Sequence, residues 1–180
     1  MNKTPVVQGT ATGLRQAFDQ SFALPPQHAS QELEGLLTIR VGGDPFAVRL
    51  RDIAGIVKGR IVVPVPNATP DLLGLAGIRG GVVPVFALAS ILGYRQASGS
   101  PRWMILCGSD EPIALAFSDF EGYVGLPKSA LHADETLRAT RQHVSETAST
   151  EAGARAVINI PLVVATIRDR IGHHRLPKEQ

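Results

Sequence analysis

Between Gly35 and Ile160 the apolar residues fall in short runs, each closed within a few positions by glycine, proline or a polar turn. That punctuation leaves no room for a bundle of long helices. It predicts many short strands joined by turns. The 18 glycines and 13 prolines supply it, while aromatic residues make up only 5%. With 44% hydrophobic and 19% charged residues the chain is a folding one, not a disordered one. Its 180 residues suit one domain or two small ones, with a core large enough to need no disulfide or metal staple.

The runs can be placed in order. Leu36 to Val41 reads as a strand, Gly42-Gly43-Asp44-Pro45 as a turn, and Phe46 to Arg51 as a half-buried strand of alternating polarity. Ile53, Ile56 and Val57 continue the apolar set, and Arg60 to Val65 reads as a further strand. Thr69-Pro70-Asp71 has the chemistry of a short helical turn. Leu75 to Arg79 and Val82 to Phe86 flank Gly80-Gly81, a two-residue hairpin signal because both glycines can take positive φ. Leu88 to Leu92 reads as a short helix closed by Gly93.

Arg102 to Cys107 and Pro112 to Phe117 read as a second hairpin, and Phe120 to Val124 as an extension of its sheet. Residues 128 to 152 are polar and read as a long surface loop with some helix. Ala156 to Ile160 is the last strand. Pro161 to Ile171 is a helix with Gly172 just past its end. Residues 1–34 form an extension whose one candidate helix, Leu14 to Ala23, carries Leu14, Phe18 and Phe22 at four-residue spacing. It is too short to stand alone. Residues 173–180 form a polar tail.

The search for chemistry is mostly negative. Catalysis needs convergent acids, bases and nucleophiles. His28, His132 and His143 lie in polar or loop-like segments, and the adjacent pair His173 and His174 cannot share one helix face. The glycines from Gly74 to Gly81 match neither dinucleotide nor P-loop spacing. No enzyme, cofactor or metal site is expected. Cys107, the single cysteine, lies in the apolar run from Trp103 and reads as a buried structural thiol. The net charge of +2 comes without a dense Lys/Arg run, so no nucleic-acid partner is expected. The first residues lack a secretory signal and no apolar run is long enough to span a bilayer, which predicts a cytoplasmic protein.

Protein–protein contact is the remaining reading. Arg79 is the only charge between Asp71 and Arg95 and sits at the mouth of the Gly-Gly turn. It is either an interface anchor, a role arginine fills well, or a solvent-facing charge that keeps the hairpin tip from aggregating.

The stretch Gly74-Leu-Ala-Gly-Ile-Arg-Gly-Gly-Val-Val-Pro-Val-Phe-Ala-Leu88, closing with Ile91-Leu92-Gly93, resembles the signature hairpin of the CheW family of chemotaxis coupling proteins. Leu37 to Arg51, Pro64 to Pro70, Ile113 to Pro127 and Val157 to Ile171 extend the resemblance, which covers residues 35–172. It implies a mainly β fold of two packed five-stranded SH3-like barrels with a C-terminal helix. It implies a non-enzymatic adaptor that couples a chemoreceptor's cytoplasmic tip to the regulatory domain of a chemotaxis histidine kinase. Gly74 and Arg79 match positions implicated in receptor binding; Ile53, Phe120 and Tyr123 match positions implicated in kinase or partner binding. The sequence departs from the family pattern at Gly77, where the family has Asn, and at Ala87, where it has Asp. Ser118 and Pro161 likewise replace acids. An accessory or pilus-pathway coupler would fit such a divergent member. The alternative from another class is a small β-barrel that binds single-stranded nucleic acid.

Overall fold

The strongest apolar runs are buried on both sides, and their alternate residues serve different cores. The computed structural model describes residues 33–66, 69–94, 101–108, 110–135 and 142–173. In β6 (Trp103–Cys107) and β7 (Ile113–Phe117), Ile105, Cys107, Ile113, Leu115 and Phe117 enter one cluster, while Met104, Leu106, Ala114 and Ala116 enter another. The two-residue period of a strand makes that division. The same split occurs in β1 (Leu33–Val41) and β2 (Asp44–Arg49). There Ile39, Val41, Phe46 and Val48 face the first cluster, and Leu36 and Ala47 face a third.

Two sheets produce this arrangement. One has the order β8-β1-β2-β11-β10-β9, with β8 at Asp119–Pro127, β9 at Leu131–Ala133, β10 at Val144–Thr150 and β11 at Gly153–Ile158. The other has the order β3-β6-β7-β5-β4, with β3 at Gly55–Lys58, β4 at Leu72–Ile78 and β5 at Gly81–Ala87. Each curls around a small interior. In the first, Val124 and Leu126 of one edge strand and Leu131 of the other pack on the same cluster, because a single 3-10 turn, Lys128–Ala130, joins those edges. In the second, the chain leaving β3 crosses to the β4 edge, where Val63 pairs with Leu75. These narrow interiors take many alanines: Ala47 and Ala148 in one, Ala76, Ala114 and Ala116 in the other. The large side chains Phe46, Phe86, Leu88, Ile105, Leu115, Ile158 and Ile167 fill the layer between the sheets. The mainly β fold of two SH3-like barrels with a C-terminal helix expected from the sequence is therefore the one observed, except that one sheet has six strands where five were expected, the short β9 adding to its edge.

The second sheet is inserted between β2 and β8 of the first. The chain enters it through a 3-10 turn, Leu50–Asp52, and leaves it at Ser118, whose hydroxyl donates to the Arg40 carbonyl at 3.0 Å. The closing helix, Ile160–His173, lays Ile160, Val163 and Ile167 into the shared layer. Asn159 caps it, its side-chain oxygen accepting the Leu162 N–H at 3.0 Å. Buried Asp71 accepts from Ser90 of the one-turn helix Leu88–Ile91 at 2.5 Å and pairs with Arg170 of the closing helix.

Several sequence expectations change. Arg60 to Val65 is not a strand; only Val63 pairs, as an isolated bridge. Phe120 to Val124 does not extend the second hairpin's sheet but returns to pair with β1. The presumed loop 128–152 contains β9 and β10, whose Ser and Thr residues hide a strand that rests on Val144 and Ala148. His143 is buried beneath the closing helix rather than exposed in a loop. That helix runs through Gly172 to His173. The Leu14–Ala23 helix, residues 95–100 and the tail from residue 174 lie outside the described residues.

Candidate functional site

The β4–β5 hairpin turns one residue earlier than the Gly-Gly pair predicts. Ile78 pairs with Gly81, so the central turn residues are Arg79 and Gly80, at φ +52° and +80°. Both are positive, as a tight two-residue hairpin with the correct twist requires. Arg79 is the only non-glycine among the described residues to adopt positive φ. Asparagine would occupy that conformation at less cost. The side chain is exposed, and its guanidinium reaches across to β3. A Cβ added at Gly55 would stand 2.9 Å from Arg79 Nη2. Arg79 forms no ion pair among the described residues.

Gly74 serves the same hairpin from inside. It is buried at φ +145°, where β4 slips register against β5. A Cβ there would lie 2.1 Å from the Val63 carbonyl oxygen and 2.9 Å from Pro64 Cα. The close approach lets Val63 and Leu75 exchange backbone hydrogen bonds of 2.8 and 2.9 Å. Ala76, Ile78, Val83 and Val85 point into the barrel. The opposite face carries Val63, Leu75, Gly77, Val82 and Pro84 in register. Val63 and Val82 are 59% and 72% exposed, an apolar strip that no described segment covers.

The other three expected site residues divide. Ile53 is half-buried against the shared layer just after the chain crosses between sheets, two residues from the Gly55 that Arg79 overlies. Phe120 follows the return crossing. It too packs on the shared layer, its ring 5.2 Å from Trp103, whose own ring lies under Lys58. Neither offers a free apolar surface. Tyr123 does, at 62% exposure on the outer face of β8, with its ring over Gly35 and Leu33 and Leu50 exposed around it. The fold thus lays Arg79 over Gly55 at the start of β3, stacks Phe120 of β8 on Trp103 of β6 beside Lys58 at the end of β3, and leaves Tyr123 in a patch of its own.

The titratable groups elsewhere hold the scaffold. Glu121 lies between Arg40 and Arg155, each 2.6 Å away. Burial alone would raise its carboxyl, but the two arginines outweigh that and hold it below the usual carboxylate range. Arg155 is 8% exposed and its Nε has no acceptor among the described residues. Burial, assisted by Asp52, pushes the Cys107 thiol up to about 12, which makes it an inert structural cysteine. Burial, then the charge of Arg170, lowers the His143 imidazole, whose Nε2 lies 3.1 Å from Thr166 Oγ1. No three His, Cys, Asp or Glu side chains among the described residues gather as metal ligands. No helix among them is long and apolar enough to cross a membrane.

Comparison with known proteins agrees with this geometry. A family model described as a CheW-like domain matches residues 35–167. The "Chemotaxis protein CheW" of Rhizobium meliloti (strain 1021) is 28% identical over 80 residues, 44% of this chain and 52% of that protein. A "Probable chemotaxis protein CheW" of Rhizobium etli is 28% identical over 71 residues, 39% of this chain and 46% of that one. The chain thus spans about half the length of the curated relatives it matches. The crystal structure of the scaffolding protein TtCheW from Thermoanaerobacter tengcongensis superposes with a TM-score of 0.62 at 15% identity. The match covers 70% of this chain and 88% of that one, and it is a likeness of fold.

Proposed function

The chain belongs to the family of CheW-like domains, and from that premise we propose that it is a non-enzymatic adaptor of chemotaxis-type signal transduction. In this reading it couples the cytoplasmic tip of a methyl-accepting chemoreceptor to the regulatory domain of a chemotaxis histidine kinase. Residues 35–172 form the coupling domain.

The observation that carries the reading is Arg79. A hairpin selected for folding alone would place Asn or Gly at this turn position. An exposed arginine held there, with no acidic partner among the described residues and beside an apolar strip that no described segment covers, is a costly choice for stability and a useful one for contact. Gly74 contributes indirectly, by seating Val63 in that strip. Ile53 and Phe120 act at the crossings between the sheets, and Tyr123 supplies a second contact patch for the kinase.

Calorimetric titration with the receptor tip and with the kinase regulatory domain tests this. Arg79→Asn should leave the fold as stable or slightly more so. It should weaken receptor binding by ~2 kcal/mol, the loss typical of an arginine anchor. Unchanged receptor affinity would remove Arg79 from the interface. Tyr123→Ser should weaken only the kinase titration.

A further inference from the structure

Where β3 ends, the chain makes a second surface that the adaptor reading does not use. Lys58, Arg60, Ile61, Val62, Pro101 and Arg102 line a cleft of about 460 Å³. The pairing of β3 with β6 builds it: Lys58 stands opposite Trp103, and the Gly59 N–H donates to the Arg102 carbonyl at 3.1 Å. Arg102 therefore joins Lys58 and Arg60 in the lining of one cleft, and no acidic side chain among the described residues lines it. Arg60 has no ion-pair partner among them. Lys58 is held over the Trp103 ring at 4.9 Å, and Arg102 meets Asp119 only at 4.0 Å with both side chains more than half exposed. So loose a surface pair neutralises little. A concave site walled by one sign of charge concentrates its field on an incoming anion.

The rest of the lining decides which anion. Ile61 is 83% exposed and, with Val62 and Pro101, gives the cleft an apolar part of its lining beside its cations. A nucleic-acid strand would need an open aromatic face for its bases. Trp103, the chain's one tryptophan, is covered by Lys58 and tilted against Phe120 at 51°. We infer that the Lys58/Arg60/Arg102 cleft binds an acidic polypeptide segment, with carboxylates on the three cations and an apolar side chain on Ile61. The inference rests on the cleft itself and not on the adaptor assignment.

Trp103 reports occupancy, since a carboxylate drawing Lys58 away changes its emission. The full chain is titrated with a terminally blocked peptide, Glu-Asp-Glu-Leu-Glu-Asp-Glu, and separately with an oligo-dT of equal charge. Expected is a saturable peptide-induced change that weakens as salt rises. Measured by calorimetry, since the variant removes the Lys58–Trp103 contact, affinity should fall by about tenfold or more in Lys58→Glu/Arg60→Glu, the loss expected when charge partners are reversed. Ile61→Ser, altering an exposed side chain, should cost the peptide severalfold in affinity and leave the circular dichroism unchanged. No saturation at millimolar peptide, an affinity indifferent to these variants, or tighter binding of oligo-dT than of peptide would each overturn the inference.

Discussion

Replacing Gly74 with alanine tests whether this glycine acts by seating the neighbouring chain. The added Cβ would lie 2.1 Å from the Val63 carbonyl oxygen, 2.7 Å from its carbon and 2.9 Å from Pro64 Cα. All three are main-chain atoms, so no side-chain rotation relieves the overlap. The segment from Gly59 to Pro66 must lift off the β4 edge. Both Val63–Leu75 hydrogen bonds are then lost, at about 1 kcal/mol each. A side chain at φ +145° adds ~1–3 kcal/mol of backbone strain. The total, about 3–5 kcal/mol, is a large part of the stability of an ordinary domain. Urea denaturation followed at Trp103 should show the free energy of unfolding falling by that amount, with the midpoint lowered in proportion. Amide exchange should show the Val63 and Leu75 N–H groups losing protection before the rest of the second sheet. A variant within about 0.5 kcal/mol of the parent, with those two amides still protected, would refute the reasoning, since surface changes typically fall in that range.

Three other outcomes follow from the buried polar groups. His143 resists protonation in the folded state, so the unfolded chain takes up its proton first as pH falls below about 6.5. Stability should therefore decline below that pH, and His143→Gln should flatten the decline in denaturation midpoints measured from pH 8 to 5. Glu121→Gln takes the counter-charge from buried Arg155; because the Glu121 side is open to water, the cost should be about 1–2 kcal/mol by urea denaturation. Cys107, with its thiol pushed up to about 12 and buried, should resist a thiol reagent in the native protein at pH 8 and react once denaturant is added.

Most strands were legible because their apolar runs are bounded by glycine and proline. Their partners were not. A run such as Ile113 to Phe117 is continuous in hydropathy, so nothing in it says that odd positions face one core and even positions another. The sheet that β8 joins is decided by that hidden division, which is why it was placed beside the wrong hairpin. β10 was missed for the opposite reason: only Val144 and Ala148 anchor a run of Ser, Glu and Thr. The turn at Arg79-Gly80 was concealed by a second glycine, which sits already in β5. Arg79 itself stood out by its isolation among apolar residues. Its reach to Gly55 did not, because that contact depends on the sheet curling. The cations of the cleft gave no run to notice, since only β-pairing, Lys58 opposite Trp103 and Gly59 opposite Arg102, brings Arg102 to the strand end that carries Lys58 and Arg60. The Asn159 cap did have a signal, an asparagine two residues before Pro161 at the start of an apolar helix.

The nesting of one sheet inside the chain path of the other has a mechanical consequence. Covalent tension applied at Leu33 and at the closing helix runs first through β1, β2 and β8–β11, the strands at the two ends of the described chain. The inserted barrel hangs between Leu50–Asp52 and Ser118, both ends held by the outer sheet, and feels no load until that sheet has torn. A molecule pulled at those two ends would give way at its outer frame first. The hairpin that bears Arg79 would be the last part stretched.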